Sequence, residues 1–107
     1  MKNLILVLTE PAEGRQDEYD DYYENLHLDE VLKSTGWDTA KRYKLIDEAG
    51  GKCPLKNLAL YEVESDDPGN IIPTLHRTRP DRRQSDALNR KTASVWVFSE
   101  NGSLHER

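Results

Sequence analysis

The chain has 107 residues, 33% of them charged and 36% hydrophobic, with 20 acids against 15 bases. Such a size and balance fit one domain, 1–107, with a polar surface and a modest core. They exclude a bilayer-spanning run of about 20 apolar residues, and the net charge of −5 argues against nucleic acid as a main partner.

Asn3 to Thr9 (Asn-Leu-Ile-Leu-Val-Leu-Thr) is apolar without alternation, the pattern of a strand buried on both faces. It is too short for a secretory h-region and lacks a small-residue cleavage site, so the cytoplasm is the expected location. Pro11 and Gly14 break the run, and a helix is predicted from Gly14 or Arg15 to Gly36. Asp17 and Glu18 suit its first turn. Tyr19, Tyr22, Tyr23 and Leu26 form one stripe, with His27 at its edge. Asp17, Asp20, Asp21, Glu24 and Asn25 form the opposite face, and the apolar pattern then changes phase through Leu28, Val31 and Leu32.

Trp37 to Ile46 alternates in part, with Trp37, Thr39, Tyr43 and Leu45 expected on one face and Asp38, Arg42 and Lys44 on the other. Its charges suit an edge strand. Asp47 to Pro54 is a loop, and Asn57 to Glu64 is a third strand. A short helix is predicted from about Asn70 to Thr78, with Pro73 interrupting or delaying it. An irregular basic connection, 79–91, leads to a last strand from Ala93 to Ser99, with Val95 and Val97 opposed to Trp96 and Phe98. The tail from Asn101 is polar and expected to fray.

The order β-α-β-β-α-β predicts an α+β, ferredoxin-like βαββαβ domain: a four-stranded antiparallel sheet with two helices on one face. Two helices cover one face only, yet three of the strands are apolar on both. A second copy, sheet against sheet, would cover the remainder, so a homodimer is expected.

Glu13-Gly14-Arg15-Gln16-Asp17-Glu18-Tyr19, Tyr22-Tyr23-Glu24-Asn25-Leu26-His27, Gly36 and Arg42-Tyr43 resemble the dimeric α/β-barrel superfamily, nearest its EthD-like branch of small bacterial proteins. Leu58-Ala59-Leu60-Tyr61-Glu62-Val63 looks like that branch's third strand, and Ser85-Asp86-Ala87-Leu88 with Val95-Trp96-Val97-Phe98 like its last connection and strand. Tyr23 and His27 fill its Tyr-x-x-x-His step, while Asp29 stands where the branch often has proline. The resemblance implies a dimeric α/β barrel with a helix–sheet cleft. The superfamily includes cofactor-free monooxygenases, polyketide cyclases, muconolactone isomerases and haem-degrading enzymes. In several members a histidine or tyrosine in the cleft handles protons.

His27 is the candidate general acid or base, because a neutral imidazole exchanges protons near pH 7. Tyr23 would orient a substrate oxygen, and Tyr22, Trp37, Tyr61, Trp96 and Phe98 are candidate substrate contacts. The plainer alternative has His27 bonding a backbone carbonyl in the helix–sheet seam. His76 is weighed as a haem ligand against an exposed histidine. Arg77, Arg79, Arg82, Arg83, Arg90 and Lys91 form a basic patch that would capture an anion, lie in solvent or pair with the partner subunit's acidic helix. Cys53 stands alone, and no spacing suggests a metal site or a phosphate loop. The leading expectation is a small cofactor-independent enzyme of cyclase, isomerase, lyase or oxygenase type, transferring protons on a compact apolar or aromatic carbonyl or phenol. The alternatives are a non-catalytic ligand-binding or accessory protein on the same scaffold, or a haem-binding member.

Overall fold

The computed structural model describes residues 1–107. Four strands, β1 (Lys2–Thr9), β2 (Thr39–Lys44), β3 (Asn57–Glu64) and β4 (Ser94–Ser99), form one antiparallel sheet in the order β2-β3-β1-β4. A helical rod runs between β1 and β2: α1 (Gln16–Tyr22), a π turn (Tyr23–His27) and α2 (Leu28–Thr35). A shorter helix, α3 (Ile71–Arg77), lies between β3 and β4. This α+β arrangement is compatible with a ferredoxin-like fold. No helix is long and apolar enough to cross a membrane.

β1 sits in the middle of the sheet, and its sequence does not alternate because apolar side chains project on both of its faces, beside those of β3 and β4. Its register sets two rows. Ile5 lies between Tyr61 and Val97, and Val7 between Ala59 and Val95, in the row that faces the helices. That row packs against Tyr19, Tyr23, Leu28, Val31, Trp37 and Ile71 to make the core. Ile5 is fully buried there, so Ile5→Ala would cost about 2–5 kcal/mol.

Leu6, beside Leu60 and Trp96, and Leu4, beside Phe98, belong to the opposite row, which no helix covers. Trp96 is 42% exposed and Phe98 54%. At one end of this face Leu45 and Leu55 of the 45–56 loop line a groove together with Leu8 and Leu58, while Ile46 stands exposed.

The phase change in the first helix has a structural cause. Its buried positions are Tyr19, Tyr23, Leu28 and Val31, so the step from Tyr23 to Leu28 is five residues. An α-helix repeats at 3.6 and would turn Leu28 off the core. The π turn absorbs the extra residue, with the Leu28 amide donating to the Tyr23 carbonyl. Gly36 ends the rod in the left-handed region at φ 78°, and its amide closes on the Leu32 carbonyl.

Several element boundaries differ from the sequence reading by one or two residues. β2 starts at Thr39 rather than Trp37 and stops at Lys44. Trp37 lies in the preceding bend and turns into the core against Tyr61, so it does not share a face with the exposed Tyr43. Arg42 projects on the helix side, bonding Asp20 at 2.6 Å and lying near the Tyr19 and Tyr23 rings. α3 begins at Ile71 after a turn at Pro68–Asn70. Pro73 falls within its first turn, where the missing N–H has no intrahelical partner to lose. β4 opens at Ser94.

Candidate functional site

A cleft of about 330 Å³ opens between the sheet and the helices. Val7 and Thr9 of β1, Val95 of β4 and Tyr61 of β3 form its floor. The helical rod supplies Tyr22, Tyr23, His27 and Val31, and α3 supplies Leu75 and His76. The far wall comes from the segment after α3, including Arg79, Arg82, Leu88 and Arg90. That wall is fixed in two places. The Ala12 amide donates to the Ala87 carbonyl, and the Asn89 amide to the Glu10 carbonyl, so the segment runs beside the chain leaving β1. On the other side Glu30 accepts from the Arg83 amide at 2.9 Å.

The π turn builds the centre of the site. Residues five apart on an α-helix point in different directions, but a turn closed by an i to i+5 bond superimposes them. Tyr22 and His27 therefore stack, with ring centres 4.8 Å apart and planes at 23°. The Tyr22 hydroxyl lies 2.9 Å from His27 Nδ1 and donates to the Arg83 carbonyl at 2.9 Å. A phenol has one proton to give. Because it goes to Arg83, His27 Nδ1 must be the donor in the other contact. The imidazole is thereby held as the Nδ1–H tautomer, leaving the Nε2 lone pair free of any protein partner. Burial, with the Arg82 cation adding to it, pushes the His27 pKa down to about 4, against the opposing pull of Glu30. At neutral pH the ring is an uncharged base.

A second hydrogen-bonded chain runs beneath it. Thr9 Oγ1 donates to the Tyr23 hydroxyl at 3.2 Å, so the Tyr19 hydroxyl, 2.6 Å away, must donate to Thr9. Tyr23 Oη accepts in this chain and keeps its own proton. Burial holds the Tyr23 phenol well above its usual pKa, and that of Tyr61 likewise, so both stay protonated. Tyr23 meets the His27 ring edge-on at 5.0 Å.

The structure thus brings His27, Tyr22, Tyr23 and Tyr61 together on one cleft. It does not bring the other expected contacts there. Trp96 and Phe98 lie on the far face of the sheet, because β4 alternates and Val95 and Val97 take the helix side. Trp37 is 6% exposed in the core against Tyr61 and lines a separate groove near Gly36. His76 is exposed at the cleft rim.

Two residues escaped the sequence reading. Thr9 ends an apolar strand, and nothing local marks its hydroxyl as the link between two tyrosines. Arg82 stands in the basic patch expected to capture an anion, lie in solvent or pair with the partner subunit, and nothing in that pattern marks it as buried, yet it is only 8% exposed. Its Nη1 donates to Ser34 Oγ at 3.0 Å and Thr78 Oγ1 at 2.7 Å, and its Nη2 to the Leu75 carbonyl at 2.9 Å. Arg83 of the same patch pairs with Glu30 of its own chain at 3.6 Å. No three His, Cys, Asp or Glu side chains gather as metal ligands.

Comparison of the chain with family models, with curated proteins and with solved structures returns no match.

Proposed function

We propose that this protein is a small cofactor-independent enzyme that moves protons on a compact carbonyl or phenol compound bound in the helix–sheet cleft. The observation that carries the reading is the Tyr22–His27 pair. It leaves an uncharged Nε2 lone pair available on the cleft wall.

In this reading Nε2 takes a proton from carbon next to the substrate carbonyl. The C–H bond breaks, an N–H bond forms, and the electron pair passes onto the carbonyl oxygen. Tyr23 Oη, whose proton is uncommitted, donates to that oxygen as charge develops. The imidazolium then returns the proton to another atom, which gives isomerisation, or to the oxygen of a ring-closing step. Proton transfer of this kind contributes about 10²–10⁴-fold in rate. The resemblance to the EthD-like branch of dimeric α/β-barrel proteins supports the same assignment of His27 and Tyr23.

The working form in this reading is a homodimer joined through the outer sheet face, closing a barrel. Support comes from the uncovered row of Leu4, Leu6, Leu60, Trp96 and Phe98. An apolar patch of this kind on a small domain calls for a cover.

The test is exchange of α-protons in D2O, followed by NMR with a panel of small 1,3-dicarbonyl and hydroxyaryl ketone compounds. Wild-type protein should accelerate exchange for at least one of them, and His27→Gln should return it to the buffer rate. A folded His27→Gln protein with undiminished exchange would overturn the assignment. Binding without exchange in the wild type would make the protein a ligand carrier.

A further inference from the structure

We infer that the compound held in the cleft is a carboxylate with an apolar body, received by the Arg82 guanidinium. The inference rests on the cleft being the ligand site, but not on His27 acting as its base.

Arg82 is a buried cation with no carboxylate within salt-bridge distance, the charge of Asp81 acting on it only from farther off. It takes part in no salt bridge, and its donors meet only two hydroxyls and a carbonyl. Its Nε has no hydrogen-bond partner at all and is the only buried side-chain nitrogen or oxygen left so. Leaving a buried charge unpaired costs several kcal/mol, and an unmade buried hydrogen bond adds to that. Nη1 has committed both of its protons, whereas Nε–H and one Nη2 proton remain, the Nε being sealed from water. A guanidinium with two uncommitted donors matches the two oxygens of a carboxylate once a small shift of the side chain presents them.

The surroundings reinforce the sign. The chain carries −5 overall, yet Arg79, Arg82 and Arg90 all line this cleft and no Asp or Glu does. Glu30, the nearest acid on the rod, is engaged by Arg83. The cleft therefore concentrates positive charge on an acidic protein, an arrangement that draws anions in. Its other lining residues are in the majority apolar or aromatic, with Val7, Val31 and Val95 among them, beside the polar Thr9, Gln84 and Ser85 and the two histidines. Its volume of about 330 Å³ suits one small molecule. One charged end and a mainly apolar remainder describe a small aromatic or aliphatic acid better than a sugar phosphate, which would leave those valines facing hydroxyls.

The experiment compares benzoate with benzamide, which has nearly the same shape and no charge. Titration into the ¹⁵N-labelled protein should give saturable shifts at Arg82 Nε–H, with benzoate about tenfold tighter than benzamide. Benzoate binding should weaken as salt is raised, and benzamide binding should not. Arg82→Met should abolish the preference for benzoate, and Arg82→Lys should keep part of it. Should Arg82→Met fail to fold, Arg79→Gln with Arg90→Gln should lower benzoate affinity several-fold. Equal affinity for the two compounds, no saturable binding of benzoate, or a benzoate preference unchanged in a folded Arg82→Met protein would each overturn the inference. Benzoate has no exchangeable α-proton, so its binding reads the anion site and exchange in the dicarbonyl panel reads the base, and the two failures are distinguished.

Discussion

His27 Nδ1 and Tyr22 Oη lie 2.9 Å apart because a π turn puts residues five positions apart on the same side of the helix. The contact fixes where the imidazole keeps its proton, and the Arg83 carbonyl fixes the direction of the bond. Tyr22→Phe removes both. Its expected cost is about 1–3 kcal/mol in stability, since two polar groups lose their partner. The more telling readout is the ring itself. Imidazole ¹⁵N shifts should report Nδ1–H alone in the wild type and a mixture of tautomers in Tyr22→Phe.

Stability should fall in mild acid. The imidazole is harder to protonate folded than unfolded, with about 4 against 6.5. Its contribution is therefore intact above about pH 6.5 and is lost as the pH drops toward 4, by about 3 kcal/mol in all. The charged groups bearing on it are Arg82, which deepens the effect, and Glu30, which opposes it. Urea midpoints across this range should slope for the wild type and flatten for His27→Gln. Equal slopes would show that the ring is not shielded from water.

Thr9→Val should cost about 1–3 kcal/mol although it keeps the side-chain volume. It strands the Tyr19 hydroxyl and removes the donor to Tyr23. Combined with Tyr19→Phe, the penalty should be smaller than the sum of the two singles, because the second change deletes the group stranded by the first. Chemical denaturation of all four proteins gives the cycle.

Asn3 ties the edges of the sheet's central strand to its neighbours. It is fully buried, its Nδ2 reaches the Met1, Val63 and Ser65 carbonyls, and its Oδ1 accepts from Ser99 Oγ at 2.6 Å. Asn3→Leu leaves these groups unsatisfied and should cost at least about 2 kcal/mol. A thermal melt is enough to check it.

Trp96→Glu with Phe98→Glu tests the proposed pairing of sheets. Light scattering at micromolar concentration should read two chains for the wild type and one for the double variant. A wild type that is a single chain would remove the barrel.

Much of the architecture was legible because burial leaves marks on a sequence. The unbroken apolar run marks β1 as a central strand with apolar side chains on both faces, and the bounds of β3 coincide with those expected, Asn57–Glu64. The phase change after Leu26 was visible too, although nothing in the pattern said that a π turn would resolve it. Trp37 was misassigned to a strand face because alternation was carried past the point where Asp38 bends the chain. Residue type and spacing mark His27 and Tyr23. They mark Tyr22 as a substrate contact but not as the partner of His27, since an i to i+5 contact does not exist in an α-helix. Arg82 was hidden for another reason. Its burial depends on Ser34, Thr78 and Leu75, which come from two different helical segments, and no local pattern records that meeting.

The orientation of the imidazole is stored in a residue count as much as in side chains. With the count unchanged, regularising the rod into an uninterrupted α-helix would rotate the half downstream by about 100° relative to the half upstream, carrying either Leu28 and Val31 or the tyrosines away from the sheet. Deleting one residue between Tyr23 and His27 would instead leave a four-residue step from Tyr23 to Leu28, which an α-helix holds on one face. The shortened rod should therefore keep its buried stripe and lose only the π turn. Exchanging the solvent-facing Glu24 or Asn25 for other residues keeps the tally, and with it the turn, and should be tolerated.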